Sequence, residues 1–268
     1  MIQTNPIYHL ANKTIEVGEK NPITLPLVDM DKIAHTFGKK LATGNTATIY
    51  SVKNCTPSRV YKVIALREFE SGNEVRISKI AADIGIAPAY HNAFVVKQDS
   101  KKFVVIEMDN AGESLGKWMK KLATKSEPIP EQNSSSLSKE MQAFLSKMKA
   151  ENPITVTEIT ENKLTLEEVL PKLYNKPEDF YFELFSKIKI LAEHFIAYGD
   201  THVGNIMPQH GTDKGMQLID FGSGDIMKDS ESAAFKAMSS LYNQVLLNKF
   251  EELPNLSKES LGLIKWFY

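Results

Sequence analysis

A long apolar segment that ends in a polar loop constrains the fold of this chain more than any other feature. Apolar residues recur at helical spacing over 180–198, from Phe180 to Phe195, and predict a helix that faces the core. The polar loop Tyr198-Gly-Asp-Thr-His-Val-Gly-Asn205 follows directly, and Leu218-Ile-Asp-Phe-Gly222 comes soon after it. The second segment predicts a short apolar strand that ends in a carboxylate.

The polar side chains of these two segments are the ones that phosphoryl transfer requires. One carboxylate beside an incoming hydroxyl orients it and accepts its proton, while an amide and a second carboxylate hold a divalent metal on a triphosphate. We therefore predict Asp200 as the catalytic carboxylate, and Asn205 and Asp220 as the metal ligands. The metal is expected to be Mg²⁺, with Mn²⁺ as a substitute because the ligands are all oxygen donors.

The order D-x-x-x-x-N and then D-F-G resembles the catalytic half of the protein kinase superfamily. Two departures stand beside this resemblance. Tyr198 and Gly199 replace the His and Arg of the kinase H-R-D triplet, so no Arg is present to grip a phosphorylated activation loop. His202 gives the form D-x-H-x-x-N, which resembles aminoglycoside phosphotransferases and atypical kinases. As a catalytic residue His202 would steady the transferring phosphoryl group; the alternative is that it only braces the loop.

The N-terminal half contains a segment, Leu41–Tyr50, that aligns with the kinase glycine-rich loop. Only its central glycine, Gly44, is retained, and Ala42 and Ala47 replace the other two. Small side chains let backbone N–H groups approach phosphate oxygens. The resemblance implies that these three residues and Ile49 contact the nucleotide, whereas the segment taken alone is typical of an ordinary β-hairpin.

A lysine in a short apolar strand, Lys62 within Arg59–Ile64, resembles the V-A-I-K element of kinases. Burying an ammonium group is costly unless it is paired. The resemblance implies that Lys62 orients the α- and β-phosphates and pairs with a glutamate of the next helix. Glu74 is the predicted partner, and Glu70 is the alternative.

A second apolar strand ends in Val104-Val-Ile-Glu-Met-Asp109, which resembles the passage from strand to hinge in kinases. By this resemblance Ile106 lies at the back of an adenine pocket. Backbone groups of Glu107, Met108 and Asp109 would then hydrogen-bond the adenine edge of ATP. A buried strand with an acidic end is the alternative.

The resemblance implies an α+β, bilobal, protein-kinase-like fold with a β-rich N-lobe and an abbreviated, mostly helical C-lobe. We expect an N-terminal extension over 1–37 and the N-lobe over 38–108. The hinge and short C-lobe would occupy 109–268, with an insert at about 123–177.

Composition limits the partners and the compartment. The net charge is −1, so bulk electrostatics give no indication of nucleic-acid binding. The chain has one cysteine, Cys55, which cannot form an internal disulfide and indicates a reducing, cytoplasmic compartment. We predict neither a Sec-type signal nor a membrane span, because the chain has no apolar run near 18 residues. Secretion by another route stays open.

The chain ends soon after Gly222 without an A-P-E sequence. This short C-lobe resembles the minimal effector kinases of the OspG/NleH type that pathogenic bacteria inject into host cells. That resemblance implies a host protein as substrate, and the short regulatory segment suggests an activating partner.

Three functions follow from these observations. The leading one is ATP-dependent transfer to Ser or Thr hydroxyls of a protein. The D-x-H-x-x-N form favours a small-molecule phosphotransferase as the alternative. The third is a kinase-shaped binding module without catalysis, which the alanines of the glycine-rich loop favour. Retention of Lys62, Asp200, Asn205 and Asp220 argues against that module.

Overall fold

The structure is a computed structural model, and it describes residues 9–11, 13–123, 166–174, 176–208 and 215–241. The chain divides into two compact units. The first contains residues 1–111 and 219–224, and the second contains residues 112–218 and 225–268. Strands dominate the described part of the first unit and helices that of the second, so the predicted α+β class is confirmed.

The described part of the first unit is built around one mixed sheet of seven strands, here called the main sheet, in the order β1-β2-β6-β7-β5-β4-β3. Neighbouring strands are antiparallel except β2 and β6, which are parallel. The strands are β1 Lys13–Val17, β2 Ile23–Asp29, β3 Phe37–Thr43, β4 Ala47–Val52, β5 Arg59–Ala65, β6 Tyr90–Gln98 and β7 Lys101–Asp109.

Helices α1 Met30–Ile33 and α2 Asn73–Asp83 accompany this sheet, together with 3-10 turns at Ala34–Thr36 and Leu66–Glu68. Helix α2 is amphipathic because its apolar residues recur at helical spacing and lie buried. It ends where Gly85 adopts a φ of +75°, a left-handed conformation that glycine adopts without strain.

Both faces of the main sheet are covered, because side chains alternate along each strand. On one face Ile64, Val95 and Val104 pack with Val75 of α2. On the other face Tyr61, Phe94 and Val105 pack with Val28 of β2 and Ile33 of α1. The segment predicted as an N-terminal extension therefore contributes two strands and a helix to this core.

The second unit contains four helices among the described residues: α3 Leu115–Ala123, α4 Leu166–Leu173, α5 Pro177–Glu193 and α6 Ser230–Leu241. Four two-residue strands form antiparallel pairs, β8 Ile196–Ala197 with β11 Asp225–Ile226, and β9 Ile206–Met207 with β10 Gln217–Leu218. The insert predicted at about 123–177 lies mostly outside the described residues; α4 belongs to its described part.

The predicted long helix ends earlier than expected. Phe180, Leu184 and Ile188 are buried in α5, as their spacing predicts. The helix stops at Glu193, however, and Phe195 has a φ of +61° and is 48% exposed. The prediction that Phe195 faces the core was therefore wrong. The chain leaves the helix here because Ile196–Ala197 pair with β11, and a left-handed residue redirects the backbone into that strand.

Candidate functional site

Three charged side chains from distant segments of the first unit meet at one point. Lys62 Nζ lies 2.6 Å from Glu74 Oε1 and 2.7 Å from Asp220 Oδ1. Lys62 and Glu74 are both 7% exposed. Glu74, rather than Glu70, is thus the partner of the lysine in the structure. We call this group the Lys62 triad.

Strand alternation and helix phase explain the position of the triad. Lys62 lies opposite Ile49 of β4 and Ile106 of β7, so these three residues share one face of the main sheet. Glu74 lies in the first turn of α2, where a carboxylate is favourable beside the positive end of the helix dipole. The same turn buries Val75 against that face of the sheet.

The triad keeps the lysine charged. Burial alone would lower the pKa of Lys62, because it disfavours the ammonium form. The charges and hydrogen bonds of Glu74 and Asp220 outweigh that effect, so the pKa of Lys62 lies above its usual value. One cation between two carboxylates carries a net charge of −1, and such a group attracts a further cation.

The Asp-Phe-Gly segment is held closely against α2. Asp220 has a φ of +62°, a left-handed conformation that aspartate tolerates better than most residues. Phe221 is 2% exposed. A Cβ added to Gly222 would lie 3.3 Å from Glu74 Oε2 and 3.4 Å from Asp220 Oδ1, so a larger residue would crowd both carboxylates.

A small cavity adjoins the triad. Its volume of about 20 Å³ has room for about one water molecule. Met108 and Tyr90 line it together with the side chains of the triad. Ile106 belongs to the apolar cluster of the same face and is fully buried, and its place at the back of an adenine pocket stays a prediction.

Backbone groups of the predicted hinge take part in hydrogen bonding and strand pairing within the protein. The N–H of Asp109 donates to Ala89 O at 2.9 Å. Met108 pairs with Val60 on one side and with Tyr90 on the other. The Glu107 carboxylate accepts a hydrogen bond of 3.0 Å from Arg59, on the face away from Lys62. In this structure the N–H of Asp109 is therefore not directed at a ligand.

The predicted glycine-rich loop is a tight hairpin between β3 and β4. Ala42 lies opposite Ile49, and the N–H of Gly44 donates to Ala47 O at 2.8 Å. Ala47 packs against the apolar cluster that contains Ile64, and Ile49 is half-buried on the face of Lys62. The segment is thus a β-hairpin, and its contact with a nucleotide stays a prediction.

The second unit holds the other predicted polar residues in one loop. Asn205 Nδ2 donates to Asp200 Oδ2 at 2.9 Å and to Asp200 O at 3.1 Å. His202 Nδ1 accepts the N–H of Gly204 at 2.9 Å, which places the ring proton of a neutral His202 on Nε2. That Nε2 lies 3.6 Å from Asp200 Oδ2. The Asp200 carboxylate is therefore oriented by the Asn205 amide, and the His202 ring lies beside it.

Helices of the second unit anchor this loop. Ser240 of α6 donates to Gly199 O at 2.7 Å, and the N–H of Gly116 in α3 donates to Val203 O at 2.8 Å. Tyr198 is fully buried at the start of the loop, while Asp200 retains 30% of its side-chain exposure. The loop is thus a firmly held backbone that presents a partly exposed carboxylate.

Sequence reasoning missed a brace on the helix that carries Glu74. The turn between β1 and β2, residues 18–22, packs against the start of α2. Arg76 donates to Asn21 O at 2.9 Å and to Pro22 O at 2.7 Å. The backbone adds Lys20 N–H to Glu70 O at 2.8 Å. No local pattern links residues this far apart in the chain. Gly18 is a sequence signal for the close contact, because its φ is +89° and an added Cβ would lie 2.8 Å from the backbone of residue 72.

Comparisons with protein-family models and with curated proteins find no match for this chain. Over the described residues, no group of three or more His, Cys, Asp or Glu side chains is arranged to hold a metal ion. No described helix has both the length and the apolar character needed to cross a membrane.

Proposed function

We propose that this protein is a phosphotransferase of the protein kinase type, which transfers the γ-phosphoryl group of ATP to Ser or Thr hydroxyls of a protein. The observation that carries the proposal is the Lys62 triad, a buried lysine held by two carboxylates from distant segments. Paired buried ions are costly to assemble and do little for stability compared with apolar residues. A role in phosphate binding would explain why the protein keeps a charged group that contributes little to stability.

The roles of the residues follow from their donors and acceptors. Lys62 has three N–H donors, one of which donates to Asp220 Oδ1 at 2.7 Å. A further N–H would bind the α- or β-phosphate of the nucleotide. Asp200 would orient the substrate hydroxyl and accept its proton, while the Nε2–H of His202 would donate to a phosphoryl oxygen.

The predicted metal ligands fit Mg²⁺ or Mn²⁺ in their donor chemistry. The amide nitrogen of Asn205 is engaged by Asp200, which leaves the amide oxygen as the ligand atom. Asp220 offers a carboxylate. Mg²⁺ is commonly held by one or two such side chains together with substrate phosphates. When bound, the metal would neutralise charge on the phosphates.

The same proposal includes the bilobal kinase-like arrangement, a host protein as substrate, and work in a reducing compartment after export by a non-Sec route. Cys55 supports the compartment, because the chain offers no second cysteine for a disulfide. The brace on α2 supports activity of the purified protein without the activating partner that the sequence suggested, since Glu74 already contacts Lys62.

The test measures transfer of ³²P from γ-labelled ATP to the proteins of a eukaryotic cell lysate, with Mg²⁺ or Mn²⁺. We expect labelled protein with the wild type, and a loss of about 10²-fold to 10⁴-fold with Asp200→Ala. Asp220→Ala should lose transfer as well. Asp83→Ala is the matched control, because Asp83 is an exposed carboxylate at the end of α2.

Each alternative has its own outcome. Retained transfer in Asp220→Ala would contradict the assignment of that residue. ATP consumption stimulated by aminoglycosides, sugars or choline-like alcohols, without labelled protein, would indicate a small-molecule phosphotransferase. Nucleotide binding without either reaction would indicate a binding module.

A further inference from the structure

A basic hollow lies at the end of the main sheet where β5 stops and β7 begins. Its volume is about 610 Å³. Leu66 and Phe103, both half-buried, form an apolar part of its lining. The exposed side chains of Arg67, Lys101 and Lys102 form a cationic rim. We call this feature the basic hollow.

The register of the strands explains why the hollow exists. Ala65 and Phe103 form the last residue pair between β5 and β7. Beyond Ala65 the chain leaves the sheet in the 3-10 turn of residues 66–68. Lys101 and Lys102 therefore have a strand partner only on the β6 side. The β5 side of these two residues is an unpaired strand edge, and such an edge is where an extended segment can add to a sheet.

The charge distribution around the hollow is unfavourable without a partner. Lys102 lies directly opposite Lys97 in the β6–β7 pair, and like charges in opposite positions destabilise a sheet. The Arg67 side chain is 87% exposed, and only Glu68, its neighbour in sequence, pairs with it among the described residues. Within the same residues no ion pair includes Lys97, Lys101 or Lys102. In a chain whose net charge is −1, this is a local excess of positive charge.

We propose that the basic hollow binds an extended acidic segment of the protein substrate that also carries an apolar side chain. The identification of this partner as the substrate rests on the proposed function. The acidic residues would pair with the rim, and the apolar side chain would cover Leu66 and Phe103. A polynucleotide is a poorer fit, since tight binding commonly uses about six to ten phosphate contacts along a basic track. The hollow offers three cations around an apolar centre.

The experiment measures binding of a fluorescein-labelled peptide of twelve residues, Glu and Asp with two Leu at its centre, by fluorescence anisotropy. The full chain is used without ATP, so the result does not depend on phosphoryl transfer. The double variant Lys101→Glu with Lys102→Glu should bind the peptide at least about tenfold more weakly. The matched control is Lys39→Glu with Lys40→Glu, which reverses two adjacent exposed lysines of β3 and should bind like the wild type.

Two peptide variants test the chemistry of the partner. Replacement of both Leu by Ser should weaken binding, because the apolar part of the lining then loses its contact. Replacement of the acidic residues by Lys should abolish it. Raising the salt concentration should weaken binding of the original peptide by the wild type.

Other results would overturn the proposal. Equal binding by the Lys101/Lys102 variant and the wild type would do so. A second contrary result is a wild-type protein that binds vesicles of phosphatidylserine and phosphatidylcholine but not the peptide. Loss of vesicle binding in the Lys101/Lys102 variant would then identify a membrane contact. Peptide binding by a protein that transfers no phosphate would refute the proposed function and leave the hollow as an acidic-segment site. Transfer without peptide binding would refute the hollow alone.

Discussion

The brace between the β1–β2 turn and α2 leads to the most informative prediction. The Arg76 guanidinium bridges two carbonyls of this contact, those of Asn21 and Pro22. It lies in the same first turns of α2 as Glu74. Arg76→Ala should therefore loosen the start of the helix and, through it, the contact between Glu74 and Lys62.

The magnitude follows from the two hydrogen bonds that the variant loses. A hydrogen bond to a charged group contributes about 1.5–3 kcal/mol when well buried and less at an exposed position such as this one. The backbone bond from Lys20 to Glu70 remains in the variant. We expect a local loss of about 1–2 kcal/mol, which corresponds to an increase of roughly 5-fold to 30-fold in the open population of these turns.

Hydrogen exchange followed by mass spectrometry measures that opening directly. Exchange of the amides of residues 73–83 should accelerate by the stated factor in Arg76→Ala. Arg76→Lys should give an intermediate value, because an ammonium does not reproduce the fork of a guanidinium. Arg67→Ala is the matched control, since that arginine is exposed and pairs with Glu68, which lies outside α2. Under the proposed function, kcat/KM for ATP should fall in Arg76→Ala as well.

Wild-type exchange rates over α2 in Arg76→Ala would contradict a stabilising role for the Arg76 contact. An equal acceleration in every part of the first unit would contradict it too, because that result would indicate a general loss of stability rather than a local brace.

Three further predictions concern the site and the core. Glu74→Gln leaves buried Lys62 with one carboxylate, so the free energy of unfolding should fall by about 2–4 kcal/mol in urea titrations; a change below about 0.5 kcal/mol would contradict the buried pairing. A Cβ on Gly204 would lie 2.5 Å from the His202 ring, so Gly204→Ala should displace the imidazole and lower transfer as much as His202→Ala does. The double variant should then be no worse than either single one, and additive losses would contradict this coupling. Burial raises the pKa of Tyr61 to about 12, against about 10 in an unfolded chain. The folded state therefore holds the phenol proton more tightly, and the resulting stabilisation is fully present below about pH 10 and is lost as the pH rises through 12. In urea titrations between about pH 9 and 12, the free energy of unfolding of Tyr61→Phe should fall less with pH than that of the wild type. An unchanged pH dependence would refute the assignment.

Local sequence patterns predicted the elements that carry the polar residues. The apolar run around Lys62 indicated a strand, and the spacing of Ile77, Ile80 and Ala81 indicated a helix after it. These predictions succeed because strand alternation and helical periodicity are local properties of the chain. The same periodicity failed at Phe195, where pairing with β11 overrides the continuation of the helix.

Positions that depend on register were harder to predict. The resemblance to kinases put Ile106 at the back of an adenine pocket, and that role stays a prediction. The pairing of β7 with β5 and β6 buries Ile106 in the apolar cluster and places Met108 against the small cavity beside the triad. A shift of two residues keeps a side chain on the same face, so a strand pattern does not distinguish the two positions. Only the tertiary pairing decides between them.

The amino-acid sequence alone supplied the residue types and their order: a lysine in an apolar strand, a glutamate in the next helix, and the Asp200 and Asp220 motifs in polar segments. Which of these residues meet depends on tertiary contacts. Glu74 rather than Glu70 pairs with Lys62, because Glu74 lies in the first turn of α2 whereas Glu70 precedes the helix and is exposed. Strand pairing also creates the basic hollow, because β7 extends two residues, Lys101 and Lys102, beyond its last pair with β5. Contacts of this kind join residues far apart in the chain, and their energy depends on distances that no local pattern contains.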